Sequence, residues 1–150
     1  INMSDEFFQR DANHVPITTL GLVASKPITY AAGSTGATGV TTLFTVTGIV
    51  AVNLFGFCTS DLTSAGAATI EGGVASSTAS LADQVTATTI DDHMVYHDAV
   101  LLIGGQVAGH MHIVDEDLIQ TIGTTTISGG TLTWYVTWVP ISTNGNVAAT

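Results

Sequence analysis

Twenty-five threonines against only two basic side chains in 150 residues leave this chain few ways to fold. Two heavy atoms on Cβ restrict Thr, Val and Ile in helices and suit them to pleated strands. From residue 28 onward, short apolar and threonine-rich runs alternate with Gly, Ser and Asn clusters. That spacing predicts an all-β fold, an antiparallel β-sandwich or jelly-roll-like barrel. The length suits one domain with one core. Charged residues make up 9%, where about 25% is usual, so much of the surface must consist of Thr, Ser, Gly, Ala and apolar atoms. Such a surface suits burial against another protein.

Charge narrows the partners. The net charge is −10, with Arg10 and Lys26 the only fixed cations, whereas phosphate backbones are held by clustered Lys and Arg. No nucleic acid is expected. Mean hydropathy is +0.45, yet no run reaches the ~18 apolar residues of a spanning helix, and the acidic balance disfavours anionic lipid. No membrane partner is expected. Residues 1–10 include Asp5, Glu6, Phe7 and Phe8 without a basic region followed by an apolar one, so no secretory signal is read and synthesis in a cytoplasm is expected. Cys58 is the single cysteine; with Phe55 and Phe57 as neighbours it reads as a buried thiol.

Residues 1–27 read as an extended N-terminal arm, because Pro16 and Pro27 each remove a backbone donor and bias the preceding residue toward extended geometry. The alternative is that this stretch pairs as an edge strand. Residues 28–150 read as a single β-sandwich domain. Within it, 40–46 and 48–58 are expected to form a hairpin, the second strand being apolar on both faces as in a core or an oligomer contact. A second hairpin is expected from 67–71 and 74–78 around Gly72-Gly73, followed by one helical turn at 80–85 capped by Ser80. Further strands are expected at 94–96, 99–103, 110–114, 117–122 and 124–128. The clearest is 132–139, with Leu132, Trp134, Val136 and Trp138 on one face and Tyr135 and Val139 on the other. Residues 142–150 read as a polar tail.

Sequence chemistry is sparse. His110 and His112 share a face if extended, and His93 and His97 could converge only on a helical or bent segment, since strand residues four apart are about 13 Å from each other. Asp91, Asp92, Asp98, Asp115, Glu116 and Asp117 could add oxygen ligands. The simpler reading, polar loop and contact residues, is preferred, so no metal and no cofactor is assigned. There is no nucleophile elbow and no phosphate loop; the paired glycines are turns. No catalytic residue is assigned, and the chain is not expected to be an enzyme.

Two stretches carry a resemblance. Arg10, Asp11, Ala12, Asn13, His14, Val15, Pro16 and Ile17 resemble the RDANxVP opening of many small structural proteins of tailed phages, including capsid-associated fibres and decoration proteins. Residues 132–140 with 144–149, together with 40–57, are similar to minor phage structural proteins. His14 stands where Arg is common in such openings, so a charge contact at that position is not implied. The resemblance implies a virion component, assembled in the host cytoplasm and bound to the capsid exterior as a decoration, or cement, protein. Its partners would be the major capsid protein and copies of itself, a homotrimer being favoured. It places capsid binding on Arg10, Asp11, Asn13, Val15, Pro16 and Ile17, and the oligomer interface on Val52, Leu54, Phe55, Phe57, Trp134 and Trp138. The alternatives are a head-fibre or tail component binding a receptor or carbohydrate through Tyr30, Tyr96, Trp134 or Tyr135, and a metal-dependent enzyme using the histidines.

Overall fold

A computed structural model describes residues 21–98 and 111–150, and in these the chain is an antiparallel β-sandwich. One sheet contains β1 (Leu22–Thr29), β9 (Gly129–Pro140) and β3 (Val50–Thr63), with the short β6 (Val95–Tyr96) and β7 (His112–Val114) both pairing with the far edge of β3. The other runs β10 (Asn146–Ala149), β2 (Gly39–Thr47), β8 (Leu118–Gly123), β4 (Thr69–Val74), β5 (Ser77–Thr86). The all-β sandwich expected from threonine content and turn spacing is the observed fold.

β9 shows why. Its period-two pattern sends Leu132, Trp134, Val136 and Trp138 between the sheets, each buried, while Tyr135 and Val139 stay partly exposed on the opposite side. Opposite β9, β3 sends Val50, Val52, Leu54 and Cys58 inward, the two strands pairing from Val50 opposite Pro140 to Thr63 opposite Gly129. From the second sheet come Phe44, Ile70, Leu118 and Ile122. One polar group sits in the centre: Gln120 Oε1 accepts from Tyr30 Oη at 2.8 Å and from Trp134 Nε1 at 3.0 Å. At the edge, Lys26 on β1 donates through Nζ to the Thr42 carbonyl at 2.8 Å and to Thr150 Oγ1 at 2.7 Å, joining the sheets, and burial lowers its pKa.

Several local expectations are corrected. The hairpin of 40–46 with 48–58 does not form. β2 and β3 lie in different sheets, and Gly48, at φ +66°, carries the chain between them where any Cβ would run into Ser142 and Asn144. An apolar run states that a face is buried, not which strand lies beside it, and an arch between sheets buries both faces as well as a hairpin does. The second hairpin exists, but its turn falls after Val74, which lies opposite Ser77, and not at Gly72-Gly73. Gly72 instead makes room: a Cβ there would lie 3.0 Å from Leu54 Cδ2 and 3.2 Å from Trp134 Cη2, so the indole rests directly on the β4 backbone. The helical turn at 80–85 is strand β5, whose register against β4 is broken by irregularities. Such irregularities let both Leu81 and Ala82 become buried, which hides the alternation. The supposed strand 124–128 is a loop with Thr124 at φ +66°. The supposed tail contains β10, which pairs with β2 and buries Val147. Residues 22–27 of the expected arm belong to β1, an edge strand where Pro27 is tolerated because one side needs no ladder bond. The expected strand at 99–103 lies outside the described residues.

Candidate functional site

The two faces of the first sheet differ in what they do. The inward face is core. On the outward face, Val139 and Ile113 flank Ala51, Tyr135 lies opposite Phe55, Thr133 and Val95 flank Phe57, and Val23 lies opposite Thr137. The Phe55 and Tyr135 rings stack with centroids 5.5 Å apart and planes inclined by 16°, as expected for a cross-strand aromatic pair on a sheet surface. His93 closes one end with its ring edge-on to Phe57 at 6.4 Å. At the other end Ile49 and Ile141 continue the same rows, their strands held together by a hydrogen bond from the Ile141 amide to the Ile49 carbonyl. Five of the large apolar side chains most open to water, Val23, Ile49, Val95, Ile113 and Ile141, belong to this face, with Val23 60% and Ile113 71% exposed.

No Asp, Glu, Lys or Arg interrupts these rows between Ile49 and Phe57. Carboxylates gather at the two ends instead. At one, the Asp92 amide donates to Asp61 and the Asp92 carboxylate lies 2.8 Å from His93 Nδ1. At the other, Glu116 accepts from the hydroxyl and amide of Ser76, which hold its carboxyl below the usual range, and Asp117 accepts from the Val46 amide. Asn53 opposite Thr137 crosses the middle of the face, so neutral polar groups interrupt it but no charge does. A large exposed apolar surface with a charged border is a usual mark of an interaction site.

The expected oligomer-interface residues separate into two groups. Val52, Leu54, Trp134 and Trp138 are enclosed within the chain's own core, which corrects their assignment, because a side chain already surrounded cannot touch another subunit. Phe55 and Phe57, from the same strand, do face outward. The error follows from period two: neighbouring apolar residues of one strand serve opposite sides. Reasoning from the sequence missed Val23, Val95, Ile113 and Ile141. The second apolar row of β3 could have signalled that its sheet has an apolar outside, but the neighbours that complete it come from four other segments. The expected capsid-binding residues Arg10, Asp11, Asn13, Val15, Pro16 and Ile17 lie outside the described residues.

Of the aromatics considered for sugar stacking, Tyr30, Tyr96 and Trp134 are buried, and burial raises the pKa of both tyrosines. Tyr135 alone of these stands on the surface. Among the described residues, no three His, Cys, Asp or Glu side chains are placed to share a metal ion; His110 lies outside them. Cys58 is the expected buried thiol, donating through Sγ to the Ser60 carbonyl at 3.2 Å, with burial pushing its pKa up. No helix of the described residues is long and apolar enough to cross a membrane. Comparison of the chain with protein-family models, with curated proteins and with solved structures gives no match.

Proposed function

We propose that this β-sandwich is a structural component of a tailed-phage virion, bound to the outer surface of the capsid as a decoration protein in contact with copies of itself. The observation that carries the reading is the outward face of the first sheet, where aliphatic and aromatic side chains lie open with no charge among them. Removing such a surface from water contributes about 25 cal/mol per Å², and a repeating shell lets a weak contact be used many times. The resemblance of residues 10–17 to phage structural openings supplies the partner. On this reading Arg10, Asp11, Asn13, Val15, Pro16 and Ile17 contact the major capsid protein. The module acts by binding and assigns no residue to catalysis.

Quantifying the chain in purified particles tests the proposal. A decoration protein is expected in hundreds of copies per particle, and absence from particles would overturn the reading. A chain lacking residues 1–15 should lose capsid binding while keeping its β-sheet circular dichroism. The second reading, a fibre or tail component that binds carbohydrate, draws on the stacked Phe55 and Tyr135 pair at the surface and predicts only a few copies.

A further inference from the structure

We infer that the outward face of the first sheet is a self-complementary contact, on which two copies of this chain pack sheet against sheet about a twofold axis. The inference rests on the reading of a module that assembles with itself and names the surface and the symmetry.

Charge selects the occupant. A chain of net charge −10 with two basic residues cannot offer a second copy any cluster of cations. It can approach itself only through surface without carboxylates, and the rows from Ile49 to Phe57 are such a surface. Lys26, the only basic residue among those described, is turned inward and bonded to Thr42 and Thr150, so it takes no part. Symmetry follows from the number of apolar faces. A closed trimer uses two different complementary patches on each subunit, whereas a twofold pair uses one patch twice. The outward side of the second sheet is lined mainly by Thr45, Thr47, Thr121 and Asn146, with Val40 a single open aliphatic side chain among them. Among the described residues the sandwich thus presents one extended apolar face, and a pair is the closed arrangement it fits. This departs from the trimer that the phage resemblance favours.

Dimensions agree. Four strands spaced ~4.8 Å apart and nine or ten residues rising ~3.3 Å each give a face of roughly 20 by 30 Å. With side-chain relief, that is of the order of the ~800 Å² per partner in a standard stable interface. Packed sheets cross either near 30° or near 90°. An aligned pair would stack the acidic ends about 10 Å apart. A near-perpendicular pair holds the Asp92 end and the Glu116 end of one copy roughly 20 Å from those of the other, more than two ~8 Å screening lengths at physiological salt against little more than one for the aligned pair. The perpendicular arrangement is therefore the one expected.

Sedimentation velocity of the full chain at micromolar concentration tests the pairing. The expected species has twice the 15.4 kDa mass of one chain, and added salt should strengthen it, because screening relieves repulsion between two acidic bodies and no ion pair is lost. Val23→Asp and Ile113→Asp, both at open positions whose loss leaves the core intact, should each shift the species to monomer with unchanged circular dichroism. A wild-type monomer, a trimer, or a dimer indifferent to both substitutions would overturn the inference. Particles play no part in this measurement. A dimer absent from virions would sink the virion reading alone, and a monomer abundant in virions would sink the pairing alone.

Discussion

The two sheets bury similar inward faces and turn very different ones outward. Inside, each contributes large apolar residues at every second position, Trp134 and Leu54 from one, Phe44 and Leu118 from the other. Outside, the second sheet presents threonines, leaves Val40 open and covers its other apolar exception with its own chain. Ile119 is only 5% exposed, and a Cβ on Gly73 would strike the backbone of Ser77 and Thr78, so the irregular start of β5 folds over that side. Glu71, on the same side, is buried and accepts from Gln84 Nε2 at 2.8 Å. The first sheet receives no such cover from the described residues, and its outward rows hold Phe55, Tyr135, Val23 and Ile113. Threonine dominates the side that stays in water, whereas on the first sheet Thr133 and Thr137 stand among aromatic and aliphatic rows that mark the side built for contact. Stability should therefore reside between the sheets and association outside the first one.

Substitutions can break that division. The largest effect is expected for Trp134→Ala, which empties the centre of the core and removes a donor to Gln120; a loss of about 3 to 5 kcal/mol is expected from chemical denaturation. Gln120→Leu should cost about 1 to 3 kcal/mol. It leaves the Trp134 N–H and the Tyr30 hydroxyl without their acceptor, a cost partly offset because Gln120 Nε2 has no protein partner to lose. Ile113→Thr makes the first sheet's outward face resemble the second's. It should alter stability by less than about 0.5 kcal/mol while weakening self-association in sedimentation. A core substitution that left stability intact, or an outward one that unfolded the chain, would refute the division.

How much of this was legible depended on whether the information was local. The β9 alternation was visible because a strand paired on both sides keeps strict period two, and it placed Trp134 and Tyr135 on opposite faces correctly. β5 was not, because its irregular register buries the adjacent Leu81 and Ala82 and imitates a helical pattern. Gly72 carried a turn signal and serves as a space for an indole from the other sheet, a requirement written in Trp134, some sixty residues away. β10 escaped because four residues with a single large apolar side chain, Val147, form a strand only where β2 offers a free edge. The outward face was half legible: Phe55 and Phe57 stood out, but mixing them with Val52 and Trp134 merged two surfaces separated by the thickness of a sheet.

The smallest expected effect lies where the loop joining β7 to β8 is tied to the second sheet. Glu116 is held by the Ser76 hydroxyl and amide, bonds that favour its ionised form and lower its pKa from 4.5. The folded state thus binds that proton less readily than the unfolded chain. Its contribution to stability is present above pH 4.5 and is lost as pH falls through the lower folded value. Asp83 behaves oppositely: desolvation and the neighbouring Asp98 raise its pKa above 3.8, so its contribution is greatest below pH 3.8 and is lost as pH rises through the folded value. Glu116→Gln should therefore flatten the decline of thermal stability on acidification, whereas Asp83→Asn should steepen it, each by a small amount because both carboxylates are solvated. Melting curves across the acid range would read the two signs. Asp83 lies on β5, in the second sheet, so Asp83→Asn should leave association at neutral pH unchanged. Glu116→Gln removes a repelling charge at the border of the contact face and should if anything strengthen it. A loss of association with either would show that the stabilising and contacting regions are not independent.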